Sequence, residues 1–447
     1  MNNLNNDTDI GRGSSGMVEF PKKAISAGAA ADISLSTLHF RFLPFLLGAI
    51  ASQKLNIGGE IYVGEMLALI YLIVKFGKFN LLQFERRLLG FAFIWFCAQL
   101  VSDLINATKF LDALKGTLAP LVFGCTIFSL IDYFKNNINR LPAFLLGAAC
   151  GELIYHQLFP SESYLFNPWK WGLGGVVLTI FVVYFSFYLR RKSIFILFGI
   201  LAVFFTISLY FDGRSMAAFP LLAALAYTFF ANGKKVRAMR FFAGKWGAVR
   251  LIGALIPALL LLNMAASALF SSSFLLSRVS ADAAEKYRSQ AAGAYGVLVG
   301  GRSEILISTR AFLDKPLIGH GSWAKNKAGY LEIAEVELNR LGYSSLPDDT
   351  EIDSNSLVTT HSYLMGALVW AGVFGGMFWI FILHSTIKQF LALMCQLPFY
   401  YYVDMVNLIW NIFFSPFDAA SRWSTAVFLA AFWAYGYAIK KKSAGKF

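Results

Sequence analysis

The sequence predicts an all-α integral membrane protein, and three observations lead to this fold class. Hydrophobic residues make up 57% of the 447 residues and charged residues only 15%, whereas charged residues are about 25% of a typical soluble domain. The apolar runs are mostly about 17 to 24 residues long, which is the length that a helix needs to cross a hydrocarbon core. They lack the alternation of apolar and polar residues that is typical of membrane β-barrels.

The apolar runs predict twelve transmembrane helices in three regions. Region 37–270 holds nine of them, at 40–55, 60–76, 88–105, 113–133, 141–158, 172–189, 193–210, 215–232 and 250–270. Region 361–447 holds the other three, at 361–385, 393–413 and 424–439, and ends in a basic tail. Residues 1–36 are rich in Asn, Ser, Gly and Ala, so we predict a disordered cytoplasmic tail there.

The basic residues predict the orientation of these spans. They are concentrated at 75–87, 135–140, 190–192, 234–250 and 440–442, which fall on one side if the spans alternate. The positive-inside rule makes this side cytoplasmic, so that both termini are inside. Because the basic residues are scattered over loops rather than gathered on one domain, the net charge of +13 does not indicate nucleic-acid binding.

One large loop, 271–360, lies on the opposite side between the ninth and tenth spans. It is the only charged, soluble-like segment of any length, and its patterns predict two short helices, within 302–316 and 329–342. In the second, Ile333, Glu337 and Leu341 share one face, which indicates that this face packs on its surroundings.

Three side chains converge on the outer side. Arg214 lies in a short turn between two apolar helices, Arg302 stands where a loop helix starts, and His361 ends the loop at the mouth of the tenth span. Each residue alone has a simpler interpretation, as a topology anchor, a solvated helix residue or a helix cap. Together, two guanidinium groups can hold a diphosphate bidentately. A histidine is the side chain best suited to accept a hydroxyl proton at neutral pH.

The segment from Arg302 to Gly376 resembles the O-antigen ligase and O-antigen polymerase superfamily. That family has an Arg-x3-Leu element in its large loop, matched by Arg302 and Leu306, and a Pro-Leu-x-Gly-x-Gly stretch, matched within "DKPLIGHG". A later element, His-[Asn/Ser/Gln]-x9-Gly-x2-[Gly/Thr/Tyr], is matched at four positions, which are His361, Ser362, Gly372 and Gly375. Arg214 matches by position a further family arginine in a short outer turn.

The resemblance implies a membrane glycosyltransferase of the GT-C type, with a large periplasmic loop and an active site on the periplasmic face of the bacterial inner membrane. An undecaprenyl-diphosphate-linked oligosaccharide would be the donor. His361 would be the general base, and Arg214 and Arg302 would hold the diphosphate leaving group. We assign further substrate contacts to Ser362, Arg310 and Arg422.

No metal and no cofactor are expected. The acidic run "DDTEIDSN" at 348–355 follows neither a DxD pattern nor a calcium-loop spacing. We therefore interpret it as a solvated loop.

Several functions remain open at the level of sequence. Polymerisation of lipid-linked repeat units is slightly favoured over ligation of the glycan to the lipid A core, and the loop elements do not separate the two activities because both share them. A flippase and a chain-length regulator are expected partners of a polymerase. A transporter of a lipid-linked sugar would need polar groups near the middle of the membrane, and a passive scaffold would tolerate the loss of His361.

Overall fold

A computed structural model of the protein describes residues 41–79, 81–189, 193–231, 270–277, 281–343 and 353–443, together with positions 264, 267, 268, 279 and 445. Three features predicted from the sequence lie wholly or mostly outside these residues. They are the tail 1–36, the ninth span at 250–270 and the first part of the acidic run.

Within the described residues nearly all regular structure is helical. The helices are α1 (Phe42–Ala51), α2 (Val63–Val74), α3 (Gln83–Ile105), α4 (Phe110–Phe134), α5 (Leu141–Leu158), α6 (Glu162–Phe166), α7 (Gly174–Phe187), α8 (Ile194–Tyr210), α9 (Arg214–Ala231), α10 (Ser273–Leu276), α11 (Ala281–Ala291), α12 (Gly296–Gly300), α13 (Glu304–Asp314), α14 (Tyr330–Arg340), α15 (Tyr363–Leu393), α16 (Phe399–Phe414) and α17 (Ala419–Ser443). Strands β1 (Lys54–Asn56) and β2 (Glu60–Tyr62) form one antiparallel hairpin, in which Leu55 pairs with Ile61.

Among the described residues, four helical segments are long and apolar enough to cross a membrane, at 83–105, 110–134, 169–187 and 363–396. Four shorter apolar helices accompany them, at 42–51, 63–74, 194–210 and 214–230. The described residues therefore form an almost entirely helical fold that is embedded in a membrane. This confirms the fold class in its general form.

The two short helices predicted in the large loop are also confirmed, as α13 and α14. The face of α14 that contains Ile333 is not the face that packs on the rest of the protein, and its alternative placement on the membrane interface stays a prediction. The buried residues of α14 are Tyr330, Leu331, Ala334 and Leu338, whereas Ile333 is 45% exposed. Hydrophobic spacing alone did not distinguish two neighbouring helical faces.

Buried glutamates define the starts of α2 and α3. Glu65 accepts a hydrogen bond from the backbone N–H of Tyr62 at 2.9 Å, and Glu85 accepts one from Leu82 at 2.6 Å. Each carboxylate lies three residues into its helix, where it satisfies a backbone donor that has no partner within the helix. The two helices therefore begin at fixed points.

The tenth predicted span is not the single helix expected over 361–385. Gly372 has φ +66° and ψ −163°, which breaks α15 into an arm at 363–371 and an arm at 373–393. The two arms fold against each other, because the rings of Tyr363 and Trp379 are only 4.9 Å apart. In a straight helix these two residues would be separated by about 24 Å. The longer arm alone measures about 31 Å and is long enough to span a membrane.

The loop containing "PLIGHG" completes the hydrogen bonding of this break. The backbone N–H of His320 donates to Val369 at 2.8 Å, that of Gly321 donates to Trp370 at 3.1 Å, and Val373 donates back to Pro316 at 2.8 Å. These are the groups that a broken helix leaves without partners, and inside a membrane protein such groups must be satisfied by protein. The loop and the helix break therefore form one structural unit, and the shorter arm of this unit begins two residues after His361.

Candidate active site

The imidazole of His361 lies against a carboxylate that the sequence analysis did not assign. Its Nδ1 atom is 2.9 Å from Oε1 of Glu304, the first residue of α13. Nδ1 is buried and has no hydrogen-bond partner among the described residues, so this contact is a close approach to the carboxylate rather than a hydrogen bond. This contact directs Nδ1 toward Glu304 and leaves Nε2 as the nitrogen that can accept a proton.

Glu304 is ionised in this arrangement. Burial alone would raise the pKa of its carboxyl group, but His361 and the positive charge of Arg302 outweigh burial and hold the pKa below its ordinary value. Its side chain is 23% exposed, whereas that of His361 is 40% exposed. The histidine is thus the member of the pair that an incoming molecule can reach.

Arg302 lies two residues before Glu304 and is largely desolvated. Burial lowers the pKa of its guanidinium group, Glu304 raises it, and the charge of Arg214 lowers it again. The guanidinium stands over the ring of Trp410, 5.4 Å from the ring centre. Its buried Nε has no hydrogen-bond partner among the described residues. A buried donor left in this state is costly unless a ligand completes it.

Arg214 begins α9 within a cluster of charges. Its Nη1 donates to Oε1 of Gln290 at 2.6 Å, and its guanidinium lies 4.9 Å from the ring centre of Tyr287. Its Nε is 3.7 Å from Asp212. Asp212 also contacts Lys170 at 2.7 Å and Lys286 at 3.2 Å, so three cations surround one carboxylate. Burial raises the pKa of Asp212, but these cations hold it below its ordinary value.

Gln290 lies between the two arginines. The side-chain oxygen of Gln290 accepts a hydrogen bond from Arg214. The same oxygen lies 3.7 Å from the position that a Cβ on Gly301 would occupy, and Gly301 directly precedes Arg302 in the chain. Gly300 is packed so closely that a Cβ would meet the Gln290 carbonyl at 2.2 Å. The structure therefore brings Arg302, Glu304 and His361 together and links Arg214 to them.

Ser362 holds the start of α15. Its hydroxyl accepts a hydrogen bond from the backbone N–H of Met365 at 3.0 Å, as a helix cap does, and donates to the carbonyl of Ile412 at 2.8 Å. The side chain is buried. Both bonds fix the position of the neighbouring His361, and the substrate contact assigned to Ser362 stays a prediction.

Arg310 and Arg422 lie apart from this group. Arg310 is on the exposed face of α13. Arg422 forms a forked ion pair with the buried carboxylate of Glu65, its Nη2 being 2.9 Å from Oε2, and also binds the carbonyl of Glu60 at 3.2 Å. Its guanidinium joins α17 to the start of α2, and the substrate contacts assigned to both arginines stay predictions.

A polar cavity of about 250 Å³ lies inside the bundle, and the sequence analysis did not identify it. One face of α16 supplies Tyr400, Asp404, Asn407 and Asn411, which recur at helical spacing. The hydroxyl of Tyr363, two residues after His361, lies 3.2 Å from the hydroxyl of Thr425, which also lines this cavity. The repeat at 400, 404, 407 and 411 was the available sequence signal for this cavity.

Over the part of the chain that the structure describes, no group of three or more His, Cys, Asp or Glu side chains is placed to hold a metal ion. The metal-independent reaction stays a prediction.

Comparisons with known protein families, with characterised proteins and with solved structures find no match.

Proposed function

We propose that the protein is an inverting glycosyltransferase that moves a glycan from a lipid-linked diphosphate donor to a sugar hydroxyl. The observation that carries this proposal is the contact between His361 and Glu304, with the desolvated Arg302 two residues away. A base held by a carboxylate, beside a buried guanidinium with a free donor, provides the two functions that such a transfer needs.

In the proposed reaction Nε2 of His361 accepts the proton of the acceptor hydroxyl. The acceptor oxygen forms a bond to the anomeric carbon as the bond from that carbon to the diphosphate oxygen breaks, and the electron pair of the broken bond leaves with the diphosphate. Attack from the opposite face inverts the anomeric configuration. Glu304 stabilises the imidazolium that forms, and the proton then passes to water at the exposed edge of the ring.

The arginines would act on the leaving group. Negative charge grows on the diphosphate as the glycosidic bond breaks, and fixed cations in a partly dry site stabilise that charge strongly. The unpartnered Nε of Arg302 offers one donor for a phosphate oxygen. Arg214 would supply a second positive charge, supported by Lys170 and Lys286, which surround the same carboxylate.

The finer features of the fold belong to the same proposal. We infer twelve crossings from the apolar runs, both termini in the cytoplasm from the basic residues, and the GT-C type with an active site on the periplasmic face of the bacterial inner membrane from the family resemblance. The donor would be an undecaprenyl-diphosphate-linked oligosaccharide, and polymerisation of repeat units remains slightly favoured over ligation to the lipid A core. A flippase and a chain-length regulator would then be functional partners.

The test uses purified full-length protein with a lipid-linked repeat unit, alone and with rough lipopolysaccharide, in the presence of EDTA. Longer lipid-linked chains indicate a polymerase, and modified lipopolysaccharide indicates a ligase. We expect His361→Ala to abolish either product while the protein remains folded. Normal product formation by this variant would refute the enzymatic proposal.

Transport of a lipid-linked sugar is the second candidate, because the cavity beside Asp404 supplies the polar groups that this function requires. Reconstituted vesicles with a fluorescent lipid-linked disaccharide separate the two proposals. A transporter would lose translocation in Asp404→Asn and retain it in His361→Ala. The enzyme would lose product formation in His361→Ala and retain substantial activity in Asp404→Asn.

A further inference from the structure

A second cavity, of about 330 Å³, lies between the α3–α4 turn and the loop that precedes α14. Its walls come from two segments far apart in sequence, 106–112 and 314–330. It is separate from the residues that surround His361. Its polar lining includes Asn106, Thr108, Ser322 and Tyr330, which offer hydrogen-bond groups to a ligand.

Positive charge predominates in this cavity. Its charged lining residues are four lysines and two aspartates, namely Lys109, Lys315, Lys325, Lys327, Asp112 and Asp314. One aspartate is already engaged, because Asp314 accepts a hydrogen bond from Tyr330 at 2.6 Å. Lys315 donates to the side-chain oxygen of Asn106 at 2.9 Å rather than to a carboxylate. The cavity is therefore suited to an anion.

The backbone around the cavity is held in an uncommon conformation. Among the described residues, three that are not glycine have positive φ, and two of them line this cavity: Ala107 at 49° and Trp323 at 52°. This conformation is unfavourable for a residue with a side chain and persists only where its surroundings enforce it. Asp103 does so here, because its carbonyl accepts from Thr108 at 3.0 Å and its carboxylate accepts from Ser322 at 2.6 Å.

The ring of Trp323 is also fixed in place. It packs on Trp370 with ring centres 4.9 Å apart, immediately before the break in α15. Gln99 donates to the Ser322 hydroxyl at 2.9 Å, so that the turn is anchored on buried side chains of α3. One wall of the cavity is thus a preformed aromatic surface flanked by lysines, and its position is coupled to the helix that follows His361.

We propose that this cavity binds a negatively charged sugar unit, bearing a carboxylate or a phosphate, of the acceptor glycan. The inference rests on the proposed glycosyl transfer and adds the chemical class of the acceptor. The lysines attract the anion as mobile point charges that accept varied geometries. The amide and hydroxyl groups of the lining would hydrogen bond to the sugar hydroxyls, and the tryptophan ring provides an apolar wall.

The test measures binding by calorimetry in full-length His361→Ala protein, held in an uncharged detergent so that no turnover occurs. The probes are a tetramer of galacturonic acid and the neutral maltotetraose. We expect the acidic tetramer to bind and the neutral one to bind at least tenfold more weakly. The double variant Lys325→Gln/Lys327→Gln should raise the Kd for the acidic tetramer about tenfold and weaken its dependence on salt.

Lys115→Gln is the matched control, since Lys115 is an exposed lysine of α4 outside the cavity. It should leave the Kd unchanged. Equal binding of the two tetramers, no binding of either, or an equal effect of control and double variant would overturn the proposal. So would displacement of the acidic tetramer by phosphatidylglycerol in nanodiscs, because the cavity would then be a lipid headgroup site. Because these outcomes concern binding, they are distinct from a failure of the transfer assay.

Discussion

Replacement of Glu304 by Gln is the most informative perturbation of the candidate site. The substitution keeps the size of the side chain and removes its charge, so the imidazole of His361 loses the carboxylate 2.9 Å from its Nδ1 atom. The neutral imidazole of the ground state interacts weakly with that charge. The imidazolium that forms in the transition state interacts strongly, so kcat should fall while KM changes little.

The size of the effect follows from the geometry. Opposite charges about 4 Å apart interact with about 4 kcal/mol near a protein surface and about 1 kcal/mol in water. The side chain of His361 is 40% exposed and that of Glu304 23% exposed, so an intermediate value applies. A loss of about 2 kcal/mol corresponds to a decrease in kcat of about 30-fold.

The assay follows conversion of a fluorescent lipid-linked repeat unit by purified protein at saturating donor. Glu337→Gln is the matched control, because Glu337 has only a 3.9 Å contact with Arg340, whose side chain is 80% exposed. The control should retain the wild-type kcat. A Glu304→Gln enzyme with kcat within threefold of wild type, or one in which only KM rises, would refute the role assigned to this carboxylate.

Three further predictions concern Gly372, Arg302 and the effect of pH. Gly372 has φ +66°, and the Cβ of Gly372→Ala would lie 2.2 Å from the carbonyl oxygen of Leu317, so the thermal unfolding midpoint of this variant should drop sharply. The control is Gly90→Ala in α3, where a Cβ meets open space, and this change should be neutral or stabilising. Arg302→Lys keeps the positive charge but loses the planar guanidinium group that can donate two parallel hydrogen bonds to a phosphate. The KM for the lipid-linked donor should therefore rise about tenfold in steady-state assays. The pKa of the Glu304 carboxyl group is lower in the folded protein than its ordinary value of 4.5. The ionised carboxylate therefore stabilises the fold fully above pH 4.5, and this stabilisation is lost as the pH falls from 4.5 through the lower pKa of the folded state. Unfolding midpoints of wild type and Glu304→Gln should therefore converge on acidification, and parallel curves would contradict this.

The sequence predicted the general architecture because that architecture depends on long apolar runs. Helices such as α3, α4 and α7 coincide with predicted spans, and both loop helices were expected from their spacing. Arg302 and His361 were singled out because charged and titratable residues are rare beside apolar helices. The contact of His361 with Glu304 then joins the loop helix α13 to the residue that ends the large loop.

Tertiary features were not accessible in the same way. Gly372 lies in an apolar run, and nothing in its neighbourhood distinguishes a helix break from a tolerated glycine. Glu304 looks like an ordinary acidic residue in the first turn of a helix, and only the fold brings it to His361. The polar residues on the face of α16 that contains Asp404 are interspersed with large aromatic residues, so their helical spacing is not apparent from the sequence alone.

The hydrogen bonds between the "PLIGHG" loop and the two sides of Gly372 have a practical consequence for protein engineering. Residues 316–321 and 363–376 supply hydrogen-bond partners to each other's backbone groups, so neither segment can be replaced without the other. A chimera that takes residues 316–321 from another protein should misfold unless residues 363–376 are transplanted with them. Protein engineering of this region should therefore exchange the two segments as a pair.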